Sequence, residues 1–219
     1  MKLVKPSFEI MEIMGDRKFL APLGLIEQAG RTCYKSEGLI TESSCQSFVR
    51  NILKRGHESV IEHSAMTVKF IVDRGVTHEL VRHRLCAFSQ ESTRYCNYRG
   101  GVTFVIPPWV QPEVTPGNYL AVSDWEPQTQ CWLQLCIDAE AAYLFLLSQG
   151  WSPQQARSVL PNSLKTEIVV TANFREWRHI FTLRCSKKAH EQMREIMLPL
   201  LRECKKLIPV IFEDIEEEP

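Results

Sequence analysis

The chain lacks net charge: 26 lysines and arginines balance 26 aspartates and glutamates over 219 residues. No global field draws it to nucleic acid or to an acidic membrane, so any anion recognition must be local. It also lacks the Gly-x-Gly-x-x-Gly fingerprint, and a dinucleotide here would not be held by that glycine loop. There is no internal repeat and no low-complexity linker. The N-terminus, Met1-Lys2-Leu3-Val4-Lys5-Pro6, has no apolar signal-peptide block. The most apolar long stretch, Cys131 to Trp151, is interrupted by Asp138 and Glu140 and is predicted as an amphipathic helix rather than a membrane span. The eight cysteines contain no Cys-x-x-Cys pair, which points to reduced, mostly structural thiols and to the cytoplasm. Finally, lysine is missing from Ile71 to Gly100, where arginines gather instead.

The length suits one substantial core, and residues 1–219 are expected to form a single domain with a frayed, solvated acidic tail at 214–219. Phe8 to Met14, Ala65 to Val72, Val102 to Ile106 and Ile168 to Thr171 read as strands. Helical spacing marks Leu20 to Tyr34, Ser43 to Arg55 ended by Gly56, Val76 to Leu85, and Pro127 to Gln149 closed by Gly150. Ser152-Pro153 opens a short helix to Leu160. Arg175 to Arg184 and Lys188 to Leu207 are also helical, the last with a kink expected at Pro199. The prolines from Gln111 to Gly117 indicate a loop. Strands and helices do not alternate regularly, which predicts an α+β fold: a central, largely antiparallel sheet flanked by helices.

The chemistry concentrates in Arg82-His83-Arg84-Leu85-Cys86-Ala87-Phe88-Ser89-Gln90-Glu91-Ser92-Thr93-Arg94-Tyr95. Arginine offers a planar fork that matches phosphate bidentately and stacks on flat rings. At a helix end the triplet would fan out by about 100° per residue, so that one ligand could not easily engage all three from one side. A solvated basic helix end is the bland alternative. The hydroxyls of Ser89, Ser92 and Thr93 suit a phosphate or a pyrimidine edge, and equally suit local capping. His78-Glu79 with His83 misses the zinc-protease spacing by one residue, and no metal site is expected. Cys86 and Cys96 lack the partners of a nucleophile. Further polar clusters are Gly56-His57-Glu58-Ser59 with Glu62-His63, then Arg157, then Asn173, Arg175, His179 and Arg184.

Arg82-His83-Arg84, seven residues and Ser92 match the Arg-His-Arg-x7-Ser signature of the flavin-dependent thymidylate synthases, and the chain resembles that family in three further blocks. These are Gly56 to His63, Ala156-Arg157-Ser158-Val159-Leu160-Pro161, and Thr171 to Arg175 with His179 and Leu183-Arg184. The resemblance implies a mixed α/β domain that converts dUMP to dTMP. Its carbon donor is 5,10-methylenetetrahydrofolate, and NADPH reduces a non-covalent FAD. It further implies a homotetramer whose active sites are shared between subunits.

By the same resemblance, Ser59, Arg82, His83, Arg84, Gln90, Asn173, Arg175 and His179 correspond to flavin contacts. Glu79, Leu80, Val81, Arg82, Gln90, Glu91, Ser92, Thr93, Arg94, Arg157 and Arg184 correspond to dUMP contacts. Arg184 is the catalytic candidate, a fixed cation that favours the ionised pyrimidine. Glu79 stands where some members have Gln, and Ser59 replaces Thr. Ala189-His190-Glu191-Gln192 departs from the family pattern and carries no role. Ser92 is assigned to binding, because a serine nucleophile needs an adjacent base and His83 lies between two arginines. A rival reading is a non-catalytic RNA- or nucleotide-binding module that stacks bases on Tyr95, Tyr98 and Trp109.

Overall fold

The computed structural model describes residues 1–14, 21–110, 114 and 126–217. Within these residues the strands are β1 (Lys2–Val4), β2 (Ser7–Ile13), β3 (Ala65–Asp73), β4 (Ala87–Gln90), β5 (Thr103–Val105) and β6 (Lys165–Asn173). Four of them form a sheet in the order β2-β3-β6-β4, and β1 pairs in parallel with β5, Leu3 opposite Phe104. β3 and β6 alternate buried and half-buried residues along their length, with Met66, Val68 and Phe70 inward on β3 and Ile168 and Val170 on β6. They are antiparallel: Phe174 N–H donates to Ser64 O at 3.0 Å, and Arg74 N–H to Leu164 O at 3.2 Å. The expected α+β class with a largely antiparallel sheet is what forms. The short strands β1 and β4 were not foreseen, because three or four residues carry too little periodicity to register.

Both middle strands run straight into helices. β3 ends at Asp73, whose side chain accepts from Val76 N–H at 2.7 Å and opens α3 (Arg74–Leu80). Asn173 repeats this at the end of β6, accepting from Glu176 N–H at 2.9 Å to open the helix Phe174–Arg184. Such caps satisfy one of the orphan amides of a first turn. The expected helix Val76–Leu85 is corrected: α3 stops at Leu80, Val81 N–H bonds back to Thr77 O, and Arg82 N–H closes a tighter turn on Glu79 O. Arg82-His83-Arg84 therefore lies beyond the helix, and the 100° fan does not apply.

The chain divides into two compact units. One comprises Met1–Ser7, Phe70–Arg82 and Ser89–Ile168; the other Phe8–Lys69, His83–Phe88 and Val169–Pro219. In the first, α4 (Pro127–Ser148) packs Leu133, Tyr143 and Leu147 against Leu3, Phe104 and Leu164. Glu140 of α4 accepts from Val102 N–H at 2.8 Å and pairs with the Met1 amine at 2.6 Å. α4 corrects another expectation. Its apolar residues are spread around the helix, Leu135 and Phe145 are each 61% exposed, and its length and composition would suffice to cross a membrane. It was expected to be amphipathic because Asp138 and Glu140 interrupt the run. Glu140, however, is engaged by two N–H donors within the unit. α5 (Pro153–Ala156) follows Gly150, which takes the left-handed φ of +89° that ends α4.

In the second unit, α1 (Ala21–Thr32) and α2 (Ser44–Lys54) accompany α6 (Phe174–Arg184), α7 (Glu191–Leu207) and α8 (Pro209–Phe212). Trp177, fully buried on α6, donates its indole N–H to Met66 O at 2.9 Å. Phe174, Phe181 and Phe212 stack edge to face beside it. The tail expected to fray at 214–219 is tied down as far as Glu217. Asp214 takes two bonds from Arg178, Ile215 is buried, and Glu217 accepts from Arg202 and Lys205. The loop expected from Gln111 to Gly117 lies outside the described residues except for Val114, as do Leu20 and residues 218–219. Trp177→Ala should cost about 3–5 kcal/mol of stability, the scale for emptying a fully buried aromatic site, as measured by urea denaturation.

Candidate active site

The first unit gathers the hydroxyl and guanidinium groups that follow β4. The strand itself takes up Ser89 and Gln90, so the turn starts only after them. Gln90 lies inward, its amide donating to Thr77 Oγ1 at 2.9 Å and Thr166 Oγ1 at 3.3 Å. Glu91 accepts from Tyr98 Oη at 2.8 Å and from Lys165 Nζ at 3.0 Å, and Lys165 also reaches Glu167 at 2.7 Å. Burial, and then Glu91, push the Tyr98 phenol well above its usual range. Burial opposes the charge on Lys165, but its bonds to Glu167 and Glu91 outweigh that and raise its pKa. Glu91 thus braces the turn through neighbours that no spacing in the sequence indicated.

Ser92 Oγ accepts from Arg94 N–H at 3.3 Å, which closes the turn. Thr93 is buried and accepts from Arg157 Nη1 at 2.9 Å. Arg157 opens a 3-10 turn, Arg157–Val159, directly after α5, whose start is fixed by Gln155 Oε1 accepting both the backbone N–H and the hydroxyl of Ser152. Arg94 donates to Gln154 at 2.8 Å and lies over the Tyr95 ring at 5.4 Å. The fold therefore brings together Ser92, Thr93, Arg94 and Arg157, an arrangement suited to a phosphate. Leu80 is buried, so its side chain cannot meet a ligand; Val81 and Arg82 are exposed and Glu79 is half-buried. Of the three aromatics in the RNA-binding rival, Tyr98 is engaged by Glu91, while Tyr95 and Trp109 are exposed.

The second unit holds the other cluster. His83 is 5% exposed, while Arg84 stays in solvent. Arg184 donates Nε–H to His83 Nε2 at 3.0 Å, and Glu176 Oε1 stands 3.6 Å from His83 Nδ1. The His179 ring lies edge-on, 5.9 Å from that of His83 between centroids. Burial first, then Arg184 and His179, depress the His83 pKa to about 4. Arg175 is exposed and pairs with Glu62 at 2.6 Å and Glu58 at 3.8 Å. Glu58 and Glu62 belong to a 3-10 helix, Glu58–His63, that also presents Ser59. Asn173 is committed to its cap.

His83, Glu176 and His179 offer ligand atoms within 4.8 Å of one another. The Arg184 guanidinium already occupies His83 Nε2, a fixed positive charge that opposes a metal cation there. His78 is exposed on α3 and takes no part. Burial, then Glu176, push the Cys86 thiol up to about 12, which removes it as a nucleophile at neutral pH. Glu176 is the residue that sequence reasoning missed: it reads as an ordinary first-turn carboxylate of a helix.

The low His83 pKa has a signed consequence for stability. An unfolded histidine titrates near 6.5 and the folded one near 4, so between these values the unfolded chain binds the extra proton. The contribution is complete above pH 6.5 and is lost as the pH falls toward 4. Relative to His83→Gln, the wild type should lose roughly 3 kcal/mol across that window in urea denaturation. A constant difference between the two proteins would contradict a neutral, buried His83.

Residues 18–210 match the Thy1 family model, described as thymidylate synthase complementing protein. The chain is 35% identical over 200 residues to the flavin-dependent thymidylate synthase of Geobacter sulfurreducens, covering 88% of this chain and 82% of that one. It is 34% identical over 207 residues to the enzyme of the same name from Mycobacterium sp. (strain JLS), covering 89% and 80%. Its fold is similar to the crystal structure of a UMP/dUMP methylase, PolB, from Streptomyces cacaoi bound with 5-Br dUMP. That likeness has a TM-score of 0.75 and 25% identity, covering 97% of this chain and 96% of the other. With the Arg-His-Arg-x7-Ser signature over Arg82 to Ser92, and with this match over most of its length, the chain belongs to the Thy1 family of flavin-dependent thymidylate synthases.

Proposed function

We propose that this protein is a flavin-dependent thymidylate synthase that reductively methylates dUMP to dTMP, with 5,10-methylenetetrahydrofolate as carbon donor and NADPH as the source of reducing equivalents. The observation that carries the mechanism is the Arg184 guanidinium held on a buried, neutral histidine. Ser92, Arg94 and Arg157 bind the nucleotide phosphate, with Thr93 fixing Arg157 from behind. Arg184 stands at the pyrimidine as a cation that needs no reorganisation, and it stabilises negative charge on the ring as carbon 5 becomes nucleophilic. His83 can accept from Arg184 only while neutral, since an imidazolium has no lone pair to offer and would repel the guanidinium.

The exposed arginines Arg84 and Arg175, the Ser59 hydroxyl and the His179 ring fit FAD, whose pyrophosphate needs forked donors and whose ring needs a flat neighbour. When bound, the flavin supplies the hydride that completes the methyl group. The chain's own residues bind and orient. Gln90 contributes by bracing β4 from inside, since its amide is taken up by Thr77 and Thr166.

Assembly as a homotetramer with shared active sites is part of the proposal. Leu135 and Phe145 on the apolar helix α4 stand exposed in a single chain, as subunit contacts would. A reducing cytoplasm, in which the eight cysteines would stay thiols, belongs to the same proposal.

The purified protein should take up FAD, turn yellow, bleach with NADPH, and form dTMP from dUMP only when methylenetetrahydrofolate is present. A protein that refuses flavin would sink the proposal. Arg184→Ala should weaken dUMP binding by about 2–5 kcal/mol in calorimetry, the scale for removing one partner of a desolvated charged contact. Unchanged affinity would remove Arg184 from the nucleotide site.

A further inference from the structure

We propose that Glu176 is a positioning residue: its carboxylate, facing His83 Nδ1, selects the histidine tautomer that leaves Nε2 free to accept from Arg184, and so aims the Arg184 guanidinium. The proposal rests on the reading of Arg184 as the group that meets the pyrimidine.

The argument starts from what each group can do. A guanidinium only donates, so the 3.0 Å contact from Arg184 Nε to His83 Nε2 requires a lone pair on that nitrogen. A neutral imidazole then carries its single proton on Nδ1. Glu176 Oε1 is the group that faces this nitrogen, 3.6 Å away, with both side chains almost fully buried, at 4% and 9% exposure. That separation is long for a hydrogen bond, and such contacts often tighten only when ligand binds. A buried negative charge on the Nδ1 side still favours the N–H dipole directed toward it. The opposite tautomer would set an Nε2–H against the Arg184 Nε–H and a lone pair against the carboxylate. Both contacts would then be repulsive.

Glu176 has a competing structural role. It is the third residue of α6 after the Asn173 cap, where a carboxylate suits the helix dipole and can close a capping box. A purely structural Glu176 would affect stability and leave the tautomer alone, and this difference separates the two roles.

The test uses the FAD-loaded protein with 15N-labelled histidine, the His83 resonances being identified by their loss in His83→Gln. The wild type should show Nδ1 protonated and Nε2 bare. Glu176→Leu leaves the Arg184 contact alone to hold that tautomer, so it should shift the population measurably toward Nε2–H and weaken dUMP binding about tenfold, the lower end of what losing an orienting partner costs. Glu176→Gln, whose amide oxygen can still accept from Nδ1–H, should keep the tautomer and recover most of the affinity. Thermal melting of each variant establishes that it folds. An unchanged tautomer in Glu176→Leu overturns the proposal whatever happens to affinity. So does a changed tautomer with wild-type dUMP affinity, provided Arg184→Ala weakens binding. A wild-type protein that binds no dUMP would defeat the functional reading instead, while the tautomer comparison would still decide whether Glu176 governs His83.

Discussion

Two short polar side chains fix where the central strands stop. Asp73 and Asn173 each end a nine-residue strand by accepting the backbone N–H three residues on, so that sheet passes into helix without a loop. This has consequences for every group with a chemical role. α3 is short, and its end at Leu80 releases the Arg-His-Arg triplet into a turn. α6 is three turns long, which carries Arg184 to its last residue and sets Glu176 in its first turn. A cap is worth only about 1 kcal/mol, yet it decides the register in which the rest of the helix is presented.

Charge is then organised around burial. In one unit Glu91 is held by Tyr98 and Lys165, and Thr93 takes a bond from Arg157, so the turn after β4 is stiff before any ligand arrives. In the other, a neutral His83 separates the Arg184 cation from the Glu176 carboxylate. Water is largely excluded from His83 and Glu176, which makes the orientation of a single N–H matter more than it would at the surface. Neither arrangement depends on net charge, which is zero.

Much of this was legible in the chain. β3 showed in its alternation, the middle of β6 in the β-branched run Ile168 to Thr171, α2 in its spaced apolar residues ended by Gly56, and the start of α5 in Ser152-Pro153. What escaped was of two kinds. β1 and β4 are too short to show a period, and they exist because neighbouring strands offer them partners. The end of α3 escaped because Val81 to Leu85 remain compatible with a helix, whereas Arg82 N–H closes a tighter turn on Glu79 O. α4 misled for a related reason: two acids in an apolar run look like a polar face until one of them, Glu140, is seen gripping Val102 and the chain amine.

The sequence by itself determined the residue types and their order: arginines without lysine, a serine after seven intervening residues, and four blocks whose resemblance pointed to one family. Spacing along a chain survives unfolding, so a sequence can carry it. Only the tertiary structure decided which of those groups are available. It turned Gln90 inward, kept Leu80 from solvent, set Arg157 on Thr93, and placed Glu176 behind His83 across 93 positions of chain (176 − 83). Tautomer, depressed pKa and aim all follow from burial and from neighbours distant in sequence, and those are properties of packing that no local pattern encodes.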